Sequence, residues 1–248
     1  MAIDSCVEED VKRLVEGLNF AEKVERSLRM MRTFYHQYGD RLVVANSLGK
    51  DSCVVWHLAK RVSPQIRGFV VTTRFKPVET KQFMRETVAR HPELEVFENE
   101  QPVPDRLYET DPDRCCDLLK VTPTRQAIEQ LGVSCWVTGL RSTEGRTRTD
   151  FREVEERDKG LIKLNPILIW HEREIWQYLA LYQVPVNPLY TQGYRSLGCA
   201  PCTTPIKSTA KSVDDIIEEL RHTTVAERSG RAQDEGRGME MLRKDGYM

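Results

Sequence analysis

Four cysteines in two pairs carry the most distinctive chemistry of this 248-residue sequence. Cys115 and Cys116 are adjacent at the head of an expected helix, and Cys199 and Cys202 bracket Ala200-Pro201 in a glycine-bounded turn. Thiolates gathered from two such pairs make a soft-ligand site that selects zinc or an iron–sulfur cluster. Structural zinc prefers cysteines separated by a few residues. The adjacent pair therefore favours a 4Fe-4S cluster over zinc or free thiols.

A second chemistry lies upstream. Ser47-Leu48-Gly49-Lys50-Asp51-Ser52 follows the apolar run Leu42–Ala45 and precedes a helical pattern with Val54, Val55, Leu58 and Val62 on one face. A strand, a short loop and a helix N-terminus in this order form an anion site. Gly49 lets backbone approach a phosphate, successive N–H groups and the helix dipole face its charge, Lys50 neutralises it, and the Ser47 and Ser52 hydroxyls donate to it. The loop is shorter than a Walker motif, so a mononucleotide P-loop is the weaker interpretation, and a simple glycine turn capping a helix is weaker still.

These residues need a scaffold, and the chain is long enough for one substantial α/β domain with elaborations. A formal charge of −1 gives no global signal for nucleic acid or membrane surfaces. Apolar runs of membrane-spanning length and a signal sequence are absent, and a cytoplasmic location is expected. Of seven cysteines, Cys53 and Cys135 fall in apolar helix and strand patterns where small thiols pack, and Cys6 has no assigned role.

Three segments are expected: an N-terminal helical stretch over 1–40, a nucleotide-binding α/β domain with the cysteine site over 41–211, and a C-terminal helix and tail over 212–248. Asp4 or Ser5 caps the first helix. Strands are expected at about 41–46, Ile66–Thr72, Leu94–Phe97, Ser134–Thr138 and Leu161–Leu164, alternating with helices over 51–62, from Glu79, over 115–131 and from His171. Such alternation implies a Rossmann-like parallel sheet flanked by helices, with its active edge at the strand C-termini. There the loop at Ser47–Ser52 meets Gly139 and Arg141, and Arg141, Arg146 and Arg148 form a positive cluster suited to phosphate. The proline-rich stretch 98–114 is expected to be a mobile loop. His171 is a helix-start residue rather than a ligand. Ser212 with Asp215 is a capping-box-like helix start, with Ile216, Ile217 and Leu220 inward. The polar stretch from Thr223 to Met248 is expected to be disordered without a partner or nucleotide.

The phosphate loop, Lys163-Leu164-Asn165-Pro166 and the run Gly193–Thr203 together resemble the adenosine-phosphosulfate and phosphoadenosine-phosphosulfate reductase family, of the adenine nucleotide α-hydrolase or ATP pyrophosphatase fold, over about residues 41–207. The resemblance implies that Cys115, Cys116, Cys199 and Cys202 are the cluster ligands of the family's iron–sulfur branch, and that Lys120 lies near the cluster. Two features depart from it. No cysteine follows Cys202, where the family has a nucleophile, and Thr72-Thr73-Arg74 stands where Asp-Thr-Gly is usual. The tail Thr223–Arg231, with Met239-Glu240 and Gly246-Tyr247, resembles the small subunit of heterodimeric ATP sulfurylase. A third branch, the ATP pyrophosphatases of DNA phosphorothioation systems, accommodates both features.

On that resemblance the leading expectation is an ATP pyrophosphatase with a 4Fe-4S cluster, activating a substrate for sulfur incorporation into DNA. ATP would bind through Ser47, Gly49, Lys50, Asp51, Ser52 and Gly139, with Mg²⁺ bridging its phosphates. Lys50, Asp51 and Arg141 would act on the α–β bond, and Arg228 and Arg231 would close over the nucleotide. Its partners would be a cysteine desulfurase and other DNA-modification subunits, with DNA reached through the complex; a homo-oligomer is left open. The alternatives are sulfonucleotide reduction, sulfate adenylylation beside a GTPase, or a non-catalytic redox sensor. The cluster is expected to be structural and electrostatic rather than a sulfur carrier.

Overall fold

The computed structural model describes residues 8–144, 151–232, 241, 242 and 244–247. Arg146, Arg148, Cys6, the Asp4 or Ser5 cap and Met239-Glu240 lie outside them.

Two helices open the chain: α1 (Glu8–Gly17) and α2 (Phe20–Tyr38). The second starts at a reciprocal cap, Asn19 Oδ1 accepting from the Glu22 N–H while Glu22 returns to the Asn19 N–H. Leu28 and Met31 are buried on its inner face.

The sheet follows in βα alternation: β1 (Leu42–Ala45), α3 (Lys50–Val62), β2 (Arg67–Thr72), α4 (Val78–Arg90), β3 (Leu94–Glu98), α5 (Leu107–Thr110), α6 (Pro112–Cys116), α7 (Thr122–Gln130), β4 (Cys135–Val137), β5 (Val154–Glu156), β6 (Ile162–Leu164), α8 (Glu172–Leu181) and α9 (Val213–Glu219). Among the described residues the strand order is β3-β2-β1-β4-β6-β5. β1 lies centrally, parallel to β2 and β4, and Val43 and Val44 are fully buried, as a strand covered on both faces requires. The expected Rossmann-like sheet flanked by helices is present, and the chain order crosses over beside β1, where the crevice of such a sheet opens.

Three expectations need correction. β5 runs antiparallel to β6; three residues containing two glutamates give no strand periodicity to read. The stretch 98–114 contains α5 and α6, because Pro112 opens a helix whose N-cap is Asp111, accepting from the Arg114 N–H at 3.0 Å. The expected helix 115–131 is helical as far as Gln130 but begins earlier, at Pro112, and widens within, so Cys115 and Cys116 lie inside it, at the end of α6, rather than at its head. Asp117–Val121 forms a π turn. Pro123 has no N–H to return to the carbonyl four residues earlier, and the wider turn accommodates that loss.

Two further starts match expectation. The His171 N–H donates to Glu174 Oε2 at 2.7 Å ahead of α8, and Ser212 and Asp215 exchange hydrogen bonds at the head of α9. Ile216, Ile217 and Leu220 pack half-buried against the core. No helix among the described residues is long and apolar enough to cross a membrane.

Candidate functional site

β1 delivers the chain to the sheet's carboxyl edge, where Leu48 takes a left-handed conformation (φ 64°) and its N–H is held by Asn46 Oδ1 at 2.8 Å. That turn points Gly49 and Lys50 into the start of α3. Ser52 Oγ lies 2.9 Å from the Gly49 carbonyl and 3.1 Å from Ser47 Oγ. Gly139, just beyond β4, abuts this helix start. A Cβ there would come within 3.0 Å of the Ser52 backbone nitrogen and 3.1 Å of the Asp51 carbonyl carbon, so close approach of two backbones requires the glycine. One loop donor is already engaged: the Lys50 N–H donates to the buried Tyr190 hydroxyl at 2.9 Å. Burial pushes that phenol's pKa up.

Lys50, Asp51 and Arg141 come together as expected, joined by a residue to which the sequence analysis gave no role. Asp51 accepts from Arg141 Nε at 2.6 Å and from Lys50 Nζ at 3.1 Å. Glu227, from the tail, accepts from Lys50 Nζ at 2.6 Å and from Arg141 Nη2. Two cations and two carboxylates thus form a closed, neutral quartet. Arg141 is wholly buried and Lys50 is 3 % exposed. Despite burial, the Asp51 and Glu227 charges hold Lys50 and Arg141 well above their ordinary values. Arg141 and Lys50 hold Asp51 far below the carboxylate range against the same burial. Glu227 moves up, since its burial and the adjacent Asp51 charge outweigh the two cations.

A cavity of about 340 Å³ runs along this edge. It is lined by the apolar Phe69, Val71, Val121, Trp136 and Leu242, by Ser47, Gly49, Lys50, Asp51, Ser52 and Gly139, and by the cations Lys76, Lys120, Arg228 and Arg231. Arg141 and Glu227 lie behind the wall rather than on it. Two buried donors of its lining, Asn46 Nδ2 and Arg231 Nε, have no hydrogen-bond partner among the described residues. Arg228 pairs with Glu144 at 2.9 Å. Arg231 donates to the Leu197 carbonyl beside Gly198, where a Cβ would press within 2.6 Å of Arg231 Nη1.

The tail is therefore seated, contrary to the expected disorder, as far as residue 232. Thr203 and Arg231 form an antiparallel bridge, the Thr204 N–H donates to the Gly230 carbonyl at 2.8 Å, and the Ala232 N–H to the Cys202 carbonyl at 3.0 Å.

The four cysteines do line one small pocket, with Phe75, Tyr108, Leu119 and Lys120. Val103, Leu107, Cys115 and Leu119 form a separate apolar cluster around it. Lys120 Nζ is 3.6 Å from Cys116 Sγ, and Thr73 Oγ1 is 3.4 Å from Cys199 Sγ. The Ala200 N–H donates to the Phe75 carbonyl at 2.8 Å, fastening the cysteine turn to the segment after β2. The Thr72-Thr73-Arg74 departure thus falls against the sulfurs. No disulfide joins the described cysteines. No three His, Cys, Asp or Glu side chains among the described residues are gathered as a single metal ion would need. A zinc ion would draw its sulfurs to within about 4 Å of one another, whereas a cubane spreads its ligands over several irons. The donor set fits the larger group: four sulfurs facing one apolar pocket with an ammonium at its edge. Burial and the neighbouring sulfurs push Cys115 up to about 11; a cationic centre is what would hold such a set as thiolates.

Cys53 and Cys135 are buried and pushed up to about 12 by burial, as packing residues would be. Half-buried Lys76 is held down to about 8 by burial and by the charges of Lys120 and Arg231, against the pull of Cys199.

Residues 41–205 match the phosphoadenosine phosphosulfate reductase domain. The chain belongs to that family. It is 32% identical over 211 residues to the adenosine 5′-phosphosulfate reductase of Halalkalibacterium halodurans, covering 81% of this chain and 90% of that protein. It is 30% identical over 181 residues to the phosphoadenosine 5′-phosphosulfate reductase of Gloeobacter violaceus, covering 68% of this chain and 74% of that one. Among solved structures the phosphoadenylyl-sulfate reductase of Candida auris, in a phosphate complex, superposes with a TM-score of 0.63 at 21% identity, over 81% of this chain and 98% of that one. The Candida glabrata FMN adenylyltransferase gives 0.59 at 14%, over 95% and 88%. At such identities the superpositions speak for the fold alone. The relatives' names favour the sulfonucleotide-reductase alternative over the ATP pyrophosphatase reading.

Proposed function

We propose that this protein binds an adenylyl sulfate and cleaves it reductively. The observation that carries the proposal is that Lys120 lines both the 340 Å³ cavity and the cysteine pocket, so that a phosphate at the loop would leave its substituent pointing at the sulfurs. The cavity is of nucleotide size. Adenine would lie against the apolar lining and the α-phosphate at Ser47–Ser52. The sulfonate would meet Lys76, Lys120, Arg228 and Arg231, which replace its hydration and neutralise charge building on the leaving phosphate. The orphan donors Asn46 Nδ2 and Arg231 Nε are groups that a bound nucleotide could satisfy.

Among the described residues no cysteine lines the cavity, so in this mechanism the attacking thiolate comes from a separate dithiol. Its sulfur bonds to the sulfonate sulfur, the S–O bond breaks, and AMP leaves with the bonding pair. The second thiol then releases sulfite and closes a disulfide. Cys115, Cys116, Cys199 and Cys202 would hold a 4Fe-4S cluster. Bound there, it would add charge beside the sulfonate and fasten α6 to the cysteine turn.

The same lack of a cavity thiol favours a second reading, the ATP pyrophosphatase expected from the sequence. ATP with Mg²⁺ would be cleaved between its α and β phosphates to activate DNA for sulfur supplied by a desulfurase. Anaerobically purified protein separates the two. Sulfite and AMP from adenylyl sulfate plus thioredoxin or dithiothreitol support the first. Pyrophosphate from ATP without sulfate, and no sulfite, would establish the second; strict dependence on sulfate would identify an ATP sulfurylase.

A further inference from the structure

We propose that Glu227 is an internal competitor for Lys50 of the phosphate seat, an anion supplied by the tail from behind the cavity wall, from which an incoming phosphate draws the lysine away. The proposal rests on reading Ser47–Ser52 as a phosphate loop. Lys50 is the cation of that loop and Arg141, from beyond β4, stands behind it; each already bonds the Glu227 carboxylate, the lysine at 2.6 Å. With Asp51 on the same two cations, the quartet carries no net charge to draw an anion. Remove the Glu227 charge and it becomes +1. Asp51 is fixed by its place in the first turn of α3. Glu227 stands instead on an irregular segment beyond α9, outside any helix or strand, tied beside it by the Ser229 N–H to the Ala226 carbonyl at 3.0 Å, the Arg231 N–H to the Arg228 carbonyl at 3.2 Å and the Arg228–Glu144 pair.

Displacement would not stay local. Three to five residues further on, the chain is clasped to the cysteine turn by Thr204 to Gly230, Thr203 to Arg231 and Ala232 to Cys202. Arg228 and Arg231 line the cavity from the same strap. When Glu227 leaves Lys50, the strap must shift where it touches both the sulfonate end of the cavity and the backbone of Cys202. Occupancy of the phosphate seat is thereby communicated to the cysteine pocket through the chain itself, by exchange of one anion for another.

The test is calorimetric binding of inorganic pyrophosphate to wild-type protein, Glu227→Gln and Lys50→Gln, with thermal melts to establish that each is folded. Removal of the competing charge should tighten binding to Glu227→Gln about tenfold or more, while Lys50→Gln should lose it. Unchanged or weaker binding to Glu227→Gln would overturn the proposal, since a carboxylate that merely positioned Lys50 and Arg141 would be missed on removal. Binding indifferent to Lys50 would overturn the phosphate-loop reading and this proposal with it. A second measurement needs no variant. In wild-type protein, pyrophosphate should accelerate hydrogen exchange at the Thr204 and Ala232 amides; unchanged or slower exchange would sink the displacement.

Discussion

At the phosphate loop the charges close on one another, whereas at the cysteine pocket they gather with one sign of neighbour. Lys50 and Arg141 face Asp51 and Glu227 in a buried neutral ring. The four sulfurs share an apolar pocket whose lining, among the described residues, includes Lys120 but no carboxylate. A neutral ring is stable as it stands and must be opened to take a ligand. A set of sulfurs beside an ammonium awaits a charge it does not own. On the proposed function the difference means that the two ends would take opposite guests: one an anion that exchanges, the other a cationic centre that stays.

The comparison breaks most sharply at Arg141. Arg141→Met removes one cation from two carboxylates while keeping most of the bulk. An uncompensated buried charge typically costs about 3–5 kcal/mol, to be read in anaerobic urea denaturation. A loss below about 1 kcal/mol would mean that the ring is wetter than its burial indicates. Cys199→Ser makes the matching cut at the other end. Iron content and visible absorbance should vanish, while pyrophosphate binding at the loop survives. Retention of about four irons per chain would remove Cys199 from the ligand set.

Acid sharpens the ring's internal asymmetry. Asp51 lies far below its unbound value of 3.8, so the unfolded state binds its proton first. Its contribution to stability is complete above about pH 5 and is lost as pH falls towards 2. Glu227 is raised above 4.5, so there the folded state binds the proton more tightly, and stability falls as pH rises through the window above 4.5. Denaturation across pH 2–8 should show Asp51→Asn flattening the acid limb and Glu227→Gln flattening the opposing slope. Identical profiles for the two variants would contradict the assignment.

How much of this could be read in the sequence depends on range. The loop, the helix start at Lys50 and the pairing of two distant cysteine pairs rest on local spacing and motif, and were legible. The core helices and buried strands were too, because periodicity encodes burial. Glu227 was not: one glutamate in a polar tail looks solvated until the fold places it against Lys50, which precedes it by most of the chain. Tyr190, whose hydroxyl takes the Lys50 N–H, was hidden likewise. β5 was missed because three residues are too few for a pattern, and the wider turn within the 115–131 helix because Pro123 was not read as a missing donor.

A smaller effect is expected where β4 and α3 touch. Gly139→Ala would drive a methyl against backbone at 3.0 Å, and backbone cannot swing aside as a side chain can. Overpacking of this kind costs about 1–3 kcal/mol. It should also shift the Ser52 amide and weaken pyrophosphate binding, whereas a variant as stable and as tight as wild type would show that the two backbones can part freely.

The smallest expected effect separates cysteines by place rather than by type. Cys53 and Cys135 are buried in the main core, remote from the lining of the cysteine pocket, and burial holds both as neutral thiols. Cys53→Ala and Cys135→Ala delete one sulfur each from a packed interior, at a cost of about 1–2 kcal/mol by the usual transfer and cavity contributions. Iron content should be untouched in both, since neither sulfur lines the cysteine pocket. If either substitution lowered iron as Cys199→Ser is expected to, the contrast between a core thiol and a ligand thiol would fail, and the set of four would need redrawing.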